Sequence, residues 1–175
     1  VLFIDEDLVF FVELVKDQLK TVKQYVILSQ TGKMPQTTLS PVVLYDEWIS
    51  GFPETYDWPD DLSEWDPALI CYTSATTGDP KGVVYSHRGL ILHSFAVGCM
   101  LGVMERDCSL HIVPMFHANA WGGPFGGVGL GCKQVLPGRE LMNMEKICRI
   151  IADEKVTFTA GVPTIWMMLY NYLEA

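Results

Sequence analysis

Residues 72–82 read Tyr72-Thr73-Ser74-Ala75-Thr76-Thr77-Gly78-Asp79-Pro80-Lys81-Gly82, a run of hydroxyl side chains that ends in one lysine. Apolar stretches at 68–72 and 82–87 flank the run, and both are too short for helices, so we predict two strands joined by this loop. Hydroxyls and backbone N–H groups donate hydrogen bonds, and the Lys81 ammonium is a compact positive charge. The stretch is therefore typical of a loop that binds an oligophosphate.

The composition of this loop also allows two other interpretations, a plain turn and a Walker A loop. Ser, Thr, Gly, Asp and Pro also cluster in plain turns between strands, but four hydroxyls in the five positions 73–77 exceed what a turn requires. A Walker A loop needs Gly-x-x-x-x-Gly-Lys-Ser/Thr opening directly into a helix. Here Lys81 follows Gly78 by three residues and a β-branched run follows the lysine, so the loop is not of that type.

The loop resembles the signature of the adenylate-forming superfamily, which comprises acyl-CoA synthetases, luciferases and peptide-synthetase adenylation domains. The family pattern is Tyr-Thr-Ser-Gly-Thr-Thr-Gly-x-Pro-Lys-Gly, and the chain departs from it at Ala75. If the backbone there needs a positive φ, the extra Cβ costs roughly 1–2 kcal/mol and weakens ATP binding. The resemblance implies that the β- and γ-phosphates of ATP are held by Thr73, Ser74, Thr76, Thr77, Gly78 and Lys81, with Thr77 also beside Mg²⁺.

A second informative segment is Val113-Pro114-Met115-Phe116-His117-Ala118-Asn119-Ala120-Trp121, which follows a predicted strand at 109–113. Ligands collect beyond strand ends in open α/β sheets, although a lone histidine is more often structural. The segment is similar to the fatty acyl-CoA ligase branch of the superfamily. That similarity implies a catalytic His117 against the substrate carboxylate or the adenylate, and an acyl pocket lined by His117, Asn119 and Trp121. Core packing stays open as the alternative for Trp121.

Strand and helix patterns alternate along the whole chain, which predicts an α/β fold with a mostly parallel sheet. A strand at 1–4, a helix at 5–19 and a strand at 25–28 form a first βαβ unit. The segment 118–131 is rich in small residues and is expected to be buried. Further strands are predicted at 134–136 and 156–160, and helices at 45–49, 88–102, 142–154 and 164–173, with Ser86 and Pro163 at helix starts.

The length of 175 residues suits one domain, and no internal boundary is evident. The resemblance extends over nearly the whole chain, including 1–28 and 156–166, and implies part of the large N-terminal domain of an adenylate-forming enzyme. The family's downstream Tyr-Gly-x-Thr-Glu motif, which holds adenine and Mg²⁺, and its C-terminal domain do not occur in the sequence. We therefore expect residues 1–175 to be a partial AMP-binding domain that is inactive alone.

Composition restricts the partners and the compartment. The net charge is −9, and residues 1–66 carry 13 acids against 4 bases, while residues 67–175 carry 8 of each. No basic cluster suits nucleic acid, and no apolar run is long enough for a transmembrane segment. The five cysteines form no Cys-x-x-Cys pair, which favours a reducing compartment, the cytoplasm, with peroxisome and mitochondrion left open. No resident metal cluster or Gly-x-Ser-x-Gly elbow is evident.

The resemblance implies an acid–thiol ligase that uses ATP, Mg²⁺ and CoA. A carboxylate, in this branch a medium- or long-chain fatty acid, attacks the α-phosphate of ATP to give acyl-adenylate and pyrophosphate. The CoA thiol then attacks the activated carbonyl. The alternatives are a non-catalytic nucleotide-binding remnant or pseudoenzyme, an unrelated P-loop NTPase, and a purely structural α/β domain. Nothing in the sequence indicates the oligomeric state.

Overall fold

A computed structural model describes residues 1–73, 78–117, 120 and 122–174 of the chain. The chain divides into two compact units, Val1–Asp60 and Asp61–Ala175. The boundary, which the sequence pattern did not reveal, lies in the acidic and proline-rich stretch, where Trp58 is 81% exposed. Because the large side chains of this stretch stay in solvent, they contribute little to either core. The residues of each unit therefore make their contacts mainly within that unit.

The first unit is a small parallel sheet with one α-helix between its first two strands and another after the third. Its elements are β1 (Leu2–Asp5), α1 (Val9–Val15), β2 (Tyr25–Leu28), β3 (Val42–Leu44) and α2 (Tyr45–Ser50). The sheet order is β1-β2-β3, with both pairs parallel, so the βαβ unit inferred from the sequence is confirmed. The predicted long helix is instead α1 flanked by two short 3-10 turns, Glu6–Leu8 and Lys16–Gln18. The three-residue β3 was not predicted, because it lies directly after a proline and is too short to show a period.

The second unit combines a hairpin with a second parallel sheet. Its elements are β4 (Pro67–Thr73), β5 (Lys81–Ser86), α3 (His87–Leu101), β6 (Cys108–His111), α4 (Gly123–Gly129), β7 (Lys133–Val135), α5 (Met144–Asp153), β8 (Phe158–Ala160) and α6 (Pro163–Glu174). Strands β4 and β5 pair antiparallel, whereas β6 lies between β7 and β8 and is parallel to both. The predicted α/β class with mostly parallel pairing is confirmed. The hairpin is the exception, since its short loop allows a direct return but not a crossover.

Two helices of this unit, α3 and α6, begin where the sequence signals place them, whereas α4 was not predicted and α5 begins two residues after its predicted start. The Ser86 hydroxyl accepts the N–H of Gly89 at 3.1 Å, and Pro163 is the first residue of α6. Gly102, with φ of 67°, closes α3 in the left-handed conformation that glycine tolerates best. Caps satisfy backbone groups that a helix end leaves unpaired. Ser86 and Gly102 thus set the two ends of α3.

The core of the second unit lies between β6 and the helices α5 and α6. It comprises Leu110, Ile112, Met144, Ile147 and Ile165. The small-residue segment 118–131 was expected to be buried, and this holds for only some of its described residues. Gly126 and Gly127 of α4 are buried, whereas Val128 is 71% exposed. In the described part of the chain, no helix has both the length and the apolar character needed to cross a bilayer.

Candidate nucleotide and acid site

The hairpin β4–β5 presents the described ends of the hydroxyl-rich loop. Thr73 ends β4 and lies opposite Lys81, which begins β5, and the Thr73 hydroxyl donates to the Lys81 carbonyl at 3.5 Å. Gly78 has a φ of 111°, a conformation that side chains rarely adopt, and no atom lies within 4 Å of where its Cβ would stand. Lys81 is exposed. The described end of the loop is therefore open to a ligand, and an ammonium group stands beside it.

Three of the predicted phosphate-binding positions cannot be placed. Ser74, Thr76 and Thr77, together with the divergent Ala75, lie outside the described residues. Their roles, including that of Thr77 beside Mg²⁺, stay predictions. Of the phosphate-binding set, the structure places Thr73, Gly78 and Lys81 at one end of the hairpin.

Close packing across the hairpin explains two further residues of the signature. Tyr72 lies opposite Gly82, and a Cβ added at Gly82 would stand 3.0 Å from the Ile70 side chain and 3.3 Å from Cζ of Tyr72. The missing side chain at position 82 thus leaves room for the Tyr72 ring to lie over the backbone of β5. This packing stiffens the hairpin next to the loop it carries.

His117 lies on the loop that leaves the carboxyl end of β6. Two consecutive backbone turns shape this loop. The His117 N–H donates to the Pro114 carbonyl and the Ala120 N–H donates to the His117 carbonyl, each at 3.0 Å. His117 itself is exposed, while Ala120 is buried with a φ of 49°. The other two predicted pocket residues, Asn119 and Trp121, lie outside the described part of the chain.

One contact joins the two segments that the sequence singled out. The Cys71 thiol lies 3.7 Å from the Phe116 carbonyl oxygen, to which it donates. Cys71 is two residues ahead of Thr73, and Phe116 directly precedes His117. The fold therefore brings the start of the hydroxyl-rich loop and the His117 loop together across 45 positions of sequence. Sequence reasoning treated Cys71 only as a small apolar residue, although strand alternation alone would place it on the inward face of β4.

The residues around the start of α3 act as a structural clamp. The Arg88 guanidinium binds both carboxylate oxygens of Glu64, at 2.8 and 2.9 Å, and lies 5.2 Å from the centre of the Trp65 ring. The backbone N–H of His87 donates to the Asp66 carbonyl at 3.2 Å. This end of the acidic segment is thus attached to α3.

His111 is the buried histidine of β6, and its side chain is 7% exposed. Its Nε2 lies 2.5 Å from Oε1 of Gln134, whose amide nitrogen donates to the Cys132 carbonyl at 2.8 Å. Since the Gln134 oxygen can only accept, the hydrogen of this pair belongs to His111 Nε2.

The ionisable groups with shifted pKa values in this unit lie near the amino ends of the strands. The Met104 N–H, followed by the Thr157 hydroxyl, lowers the pKa of the Asp107 carboxyl. Burial raises the pKa of the Cys132 thiol. Across the described ranges, no group of three or more His, Cys, Asp or Glu side chains could hold a metal ion.

The whole chain, residues 1–175, matches the family model of the AMP-binding enzymes. The chain therefore belongs to the AMP-binding enzyme family, and its fold is that of the N-terminal domain of acyl-CoA ligases.

Three known proteins show the closeness of the match. The chain is 42% identical over 177 residues to a long-chain-fatty-acid–CoA ligase of Thermus thermophilus, covering 100% of this chain and 31% of the relative. It is 39% identical over 171 residues to a 3-methylmercaptopropionyl-CoA ligase of Ruegeria pomeroyi, covering 97% and 31%. A crystal structure of a long-chain-fatty-acid-CoA ligase from Archaeoglobus fulgidus superposes with a TM-score of 0.79 at 26% identity, over 99% of this chain and 32% of that one. The chain thus spans about a third of the length of these relatives.

Proposed function

We propose that this chain forms the phosphate- and carboxylate-binding part of an acid–thiol ligase. The enzyme converts a carboxylic acid and ATP to an acyl-adenylate and pyrophosphate, and then transfers the acyl group to CoA. The observation that carries the proposal is the contact between Cys71 and Phe116. It places the origin of the phosphate-binding loop beside the origin of the His117 loop, and the two reactants of the first step must meet in that way.

The phosphate end of the proposed site rests on charge and hydrogen-bond donors. Catalysis of phosphoryl chemistry depends largely on positioning and on neutralising charge. Lys81 supplies an ammonium, Thr73 a hydroxyl and Gly78 a backbone N–H, and in our proposal they hold the β- and γ-phosphates with Ser74, Thr76 and Thr77. When bound with ATP, Mg²⁺ would supply positive charge that neutralises the phosphates, and in our proposal Thr77 would lie beside it. The carboxylate oxygen attacks the α-phosphorus, and the bond to the pyrophosphate oxygen breaks.

The acid end of the proposed site rests on His117. As an exposed side chain after a parallel strand, it can donate a ring N–H to the carboxylate or to the adenylate carbonyl. Asn119 and Trp121 are proposed to line the acyl pocket with it. The named relatives act on fatty acids and on 3-methylmercaptopropionate, which supports an aliphatic acid, with a medium- or long-chain fatty acid as the first candidate.

Nucleotide binding is tested on this chain by titration calorimetry with ATP and Mg²⁺. Lys81→Ala should weaken ATP binding about tenfold or more, since it removes a charge-assisted phosphate contact. Lys133→Ala is the matched control, because Lys133 is also an exposed lysine that begins a strand, and its ammonium pairs with Glu154 at 2.6 Å. Equal losses in the two variants would contradict a phosphate role for Lys81.

Activation of the acid is tested in the complete gene product by pyrophosphate exchange with octanoate, followed by CoA-dependent thioester formation. His117→Ala should lower kcat of the exchange by about 10²-fold, the lower range for a positioned acid–base group, while ATP affinity stays unchanged. Exchange without any carboxylic acid would instead favour a nucleotide hydrolase. Nucleotide binding without exchange would favour the non-catalytic alternative.

A further inference from the structure

Two small cavities lie beneath the His117 loop, between the sheet and helices α3 and α4. They have volumes of about 50 Å³ and 30 Å³ and share four lining residues, Val97, Ser109, Gly123 and Phe158. A continuous lining makes them one slot, which we call the β6 slot. A cavity of 10–15 Å³ already holds one water molecule, so the β6 slot has room for roughly five groups of that size.

The wall of the β6 slot is apolar except at β6. Ser109 lines both cavities and is 7% exposed, and among the described residues no hydrogen bond engages its hydroxyl. In the described chain, every fully buried side-chain oxygen or nitrogen has a hydrogen-bond partner. Since the Ser109 hydroxyl has none, it is not fully buried, and the slot is the space from which it is reached. A polar group that is buried yet open to a cavity is costly unless something binds it there.

A second polar group stands beside the serine. His111 lines the larger cavity, and its Nε2 is engaged by Gln134. The opposite edge of the imidazole faces Gly123, because a Cβ added there would stand 3.2 Å from Cε1 and 3.7 Å from Nδ1. Nδ1 is the acceptor of a neutral imidazole whose Nε2 carries the hydrogen. The slot thus offers an acceptor at His111 and a hydroxyl at Ser109 that can donate or accept.

The β6 slot is continuous with the loop proposed to hold the carboxylate. Val113 and Ala120 line the larger cavity, and they bracket His117 in sequence. The Ala120 N–H donates to the His117 carbonyl, so the slot begins one hydrogen bond away from the backbone of His117. Val103 and Leu130 line the smaller cavity. An acid held at His117 therefore has a short, partly enclosed space near it.

We propose that Ser109 and His111 select acids whose aliphatic tail carries a hydroxyl group. The inference rests on the proposed ligase function and specifies its substrate. The tail hydroxyl donates to Nδ1 of His111 and accepts from the Ser109 hydroxyl, which satisfies both groups at once. An unsubstituted tail of the same length leaves them unpaired in an apolar space, and discrimination by a site built for a hydroxyl is stronger than discrimination by size alone.

The test compares matched pairs of acids with four to eight carbons, each unsubstituted or hydroxylated at the terminal carbon. With the complete gene product, kcat/KM for thioester formation should favour the hydroxylated acid by about tenfold at one chain length. Ser109→Ala removes only the hydroxyl oxygen and should abolish this preference. Gly123→Ala, which fills the slot beside His111, should abolish it as well. Equal kcat/KM for both acids at every length would overturn the inference and leave the ligase function standing.

Ser94→Ala is the matched control for Ser109→Ala. Ser94 is buried to the same degree, at 8% exposed, but its hydroxyl donates to the Leu90 carbonyl at 2.7 Å and does not line the slot. The preference for the hydroxylated acid should survive in Ser94→Ala, and its loss there would overturn the assignment to Ser109. If no acid is activated at all, the ligase proposal fails and the slot is tested by ligand-observed NMR on this chain. Equal affinity for the two acids of each pair would then overturn the inference.

Discussion

Gly127→Ala should destabilise the second unit, although alanine is normally preferred to glycine inside a helix. The added Cβ would overlap the amide nitrogen of Gln134 and stand 2.5 Å from its Cδ and Oε1. Gln134 has little freedom to move aside, because its side chain bridges His111 and the Cys132 carbonyl. The substitution therefore forces either a shift of α4 or the loss of this buried bridge.

The magnitude follows from three contributions. Overpacking a well-filled core costs about 1–3 kcal/mol, and a buried His111 N–H left without an acceptor costs about 1–3 kcal/mol. The better helix propensity of alanine offsets up to about 1 kcal/mol. We expect a net loss of about 2–4 kcal/mol in the free energy of unfolding. For a unit of this size, the midpoint of thermal unfolding should fall by roughly 10 °C.

Urea unfolding followed by tryptophan fluorescence and circular dichroism measures this loss, and two other glycines of α4 serve as controls. A Cβ at Gly129 would have no atom within 4 Å, so Gly129→Ala should be neutral or slightly stabilising. A Cβ at Gly126 would be 3.5 Å from Ser94, an ordinary contact, so Gly126→Ala should change stability by less than about 1 kcal/mol. If Gly127→Ala lies within 0.5 kcal/mol of Gly129→Ala, roughly the spread of neutral surface changes, the inferred clash is wrong.

Three further predictions follow from charge and from the loop sequence. Hydrogen bonds hold the pKa of Asp107 below its usual value, so its carboxylate stabilises the fold above the unfolded-state pKa, and this contribution is lost as pH falls through the folded-state pKa. Asp107→Asn should thus reduce stability to urea at pH 7, and the difference from the parent should begin to shrink as pH falls through the unfolded-state value of about 3.9 and disappear only below the folded-state pKa; a difference that is as large at pH 2 as at pH 7 would contradict this. Arg88→Ala removes the pairing in which one guanidinium nitrogen, Nη1, donates to both oxygens of Glu64, and because both side chains are about half exposed, it should cost less than about 1 kcal/mol while speeding proteolysis at 61–66; an unchanged cleavage rate would exclude the clamp. Ala75→Gly should tighten ATP binding about tenfold, the equivalent of the roughly 1–2 kcal/mol expected for a Cβ at positive φ, and unchanged affinity in calorimetry would remove that explanation.

Local signals predicted most of the elements. Helix α3 begins at a serine cap and α6 begins at Pro163, since caps and prolines act within one turn of chain. The parallel pairing of β1 and β2 followed from the intervening helix. What local signals could not predict was the strand β3, which is too short to show a period, and the boundary between the two units, which depends on where the contacts of each core end.

The candidate site, too, could be predicted from the sequence only in part. Hydroxyls and a lysine at fixed spacing indicated a phosphate-binding loop, and His117 was indicated by its place after a strand. The contact between Cys71 and Phe116 could not be predicted from the sequence, because pairings between distant segments have no local pattern. Likewise, no sequence feature marked Ser109 as different from other buried serines.

The sequence alone determined the class of this protein, the order of most of its strands and helices, and the chemistry of its two informative segments, because these properties reside in residue types and in spacings of a few positions. Only the tertiary structure decided that the hairpin and the His117 loop start side by side, and that Ser109 and His111 line one slot. Those are consequences of how β6 packs beneath α3 and α4, and packing is a property of residues far apart in the chain.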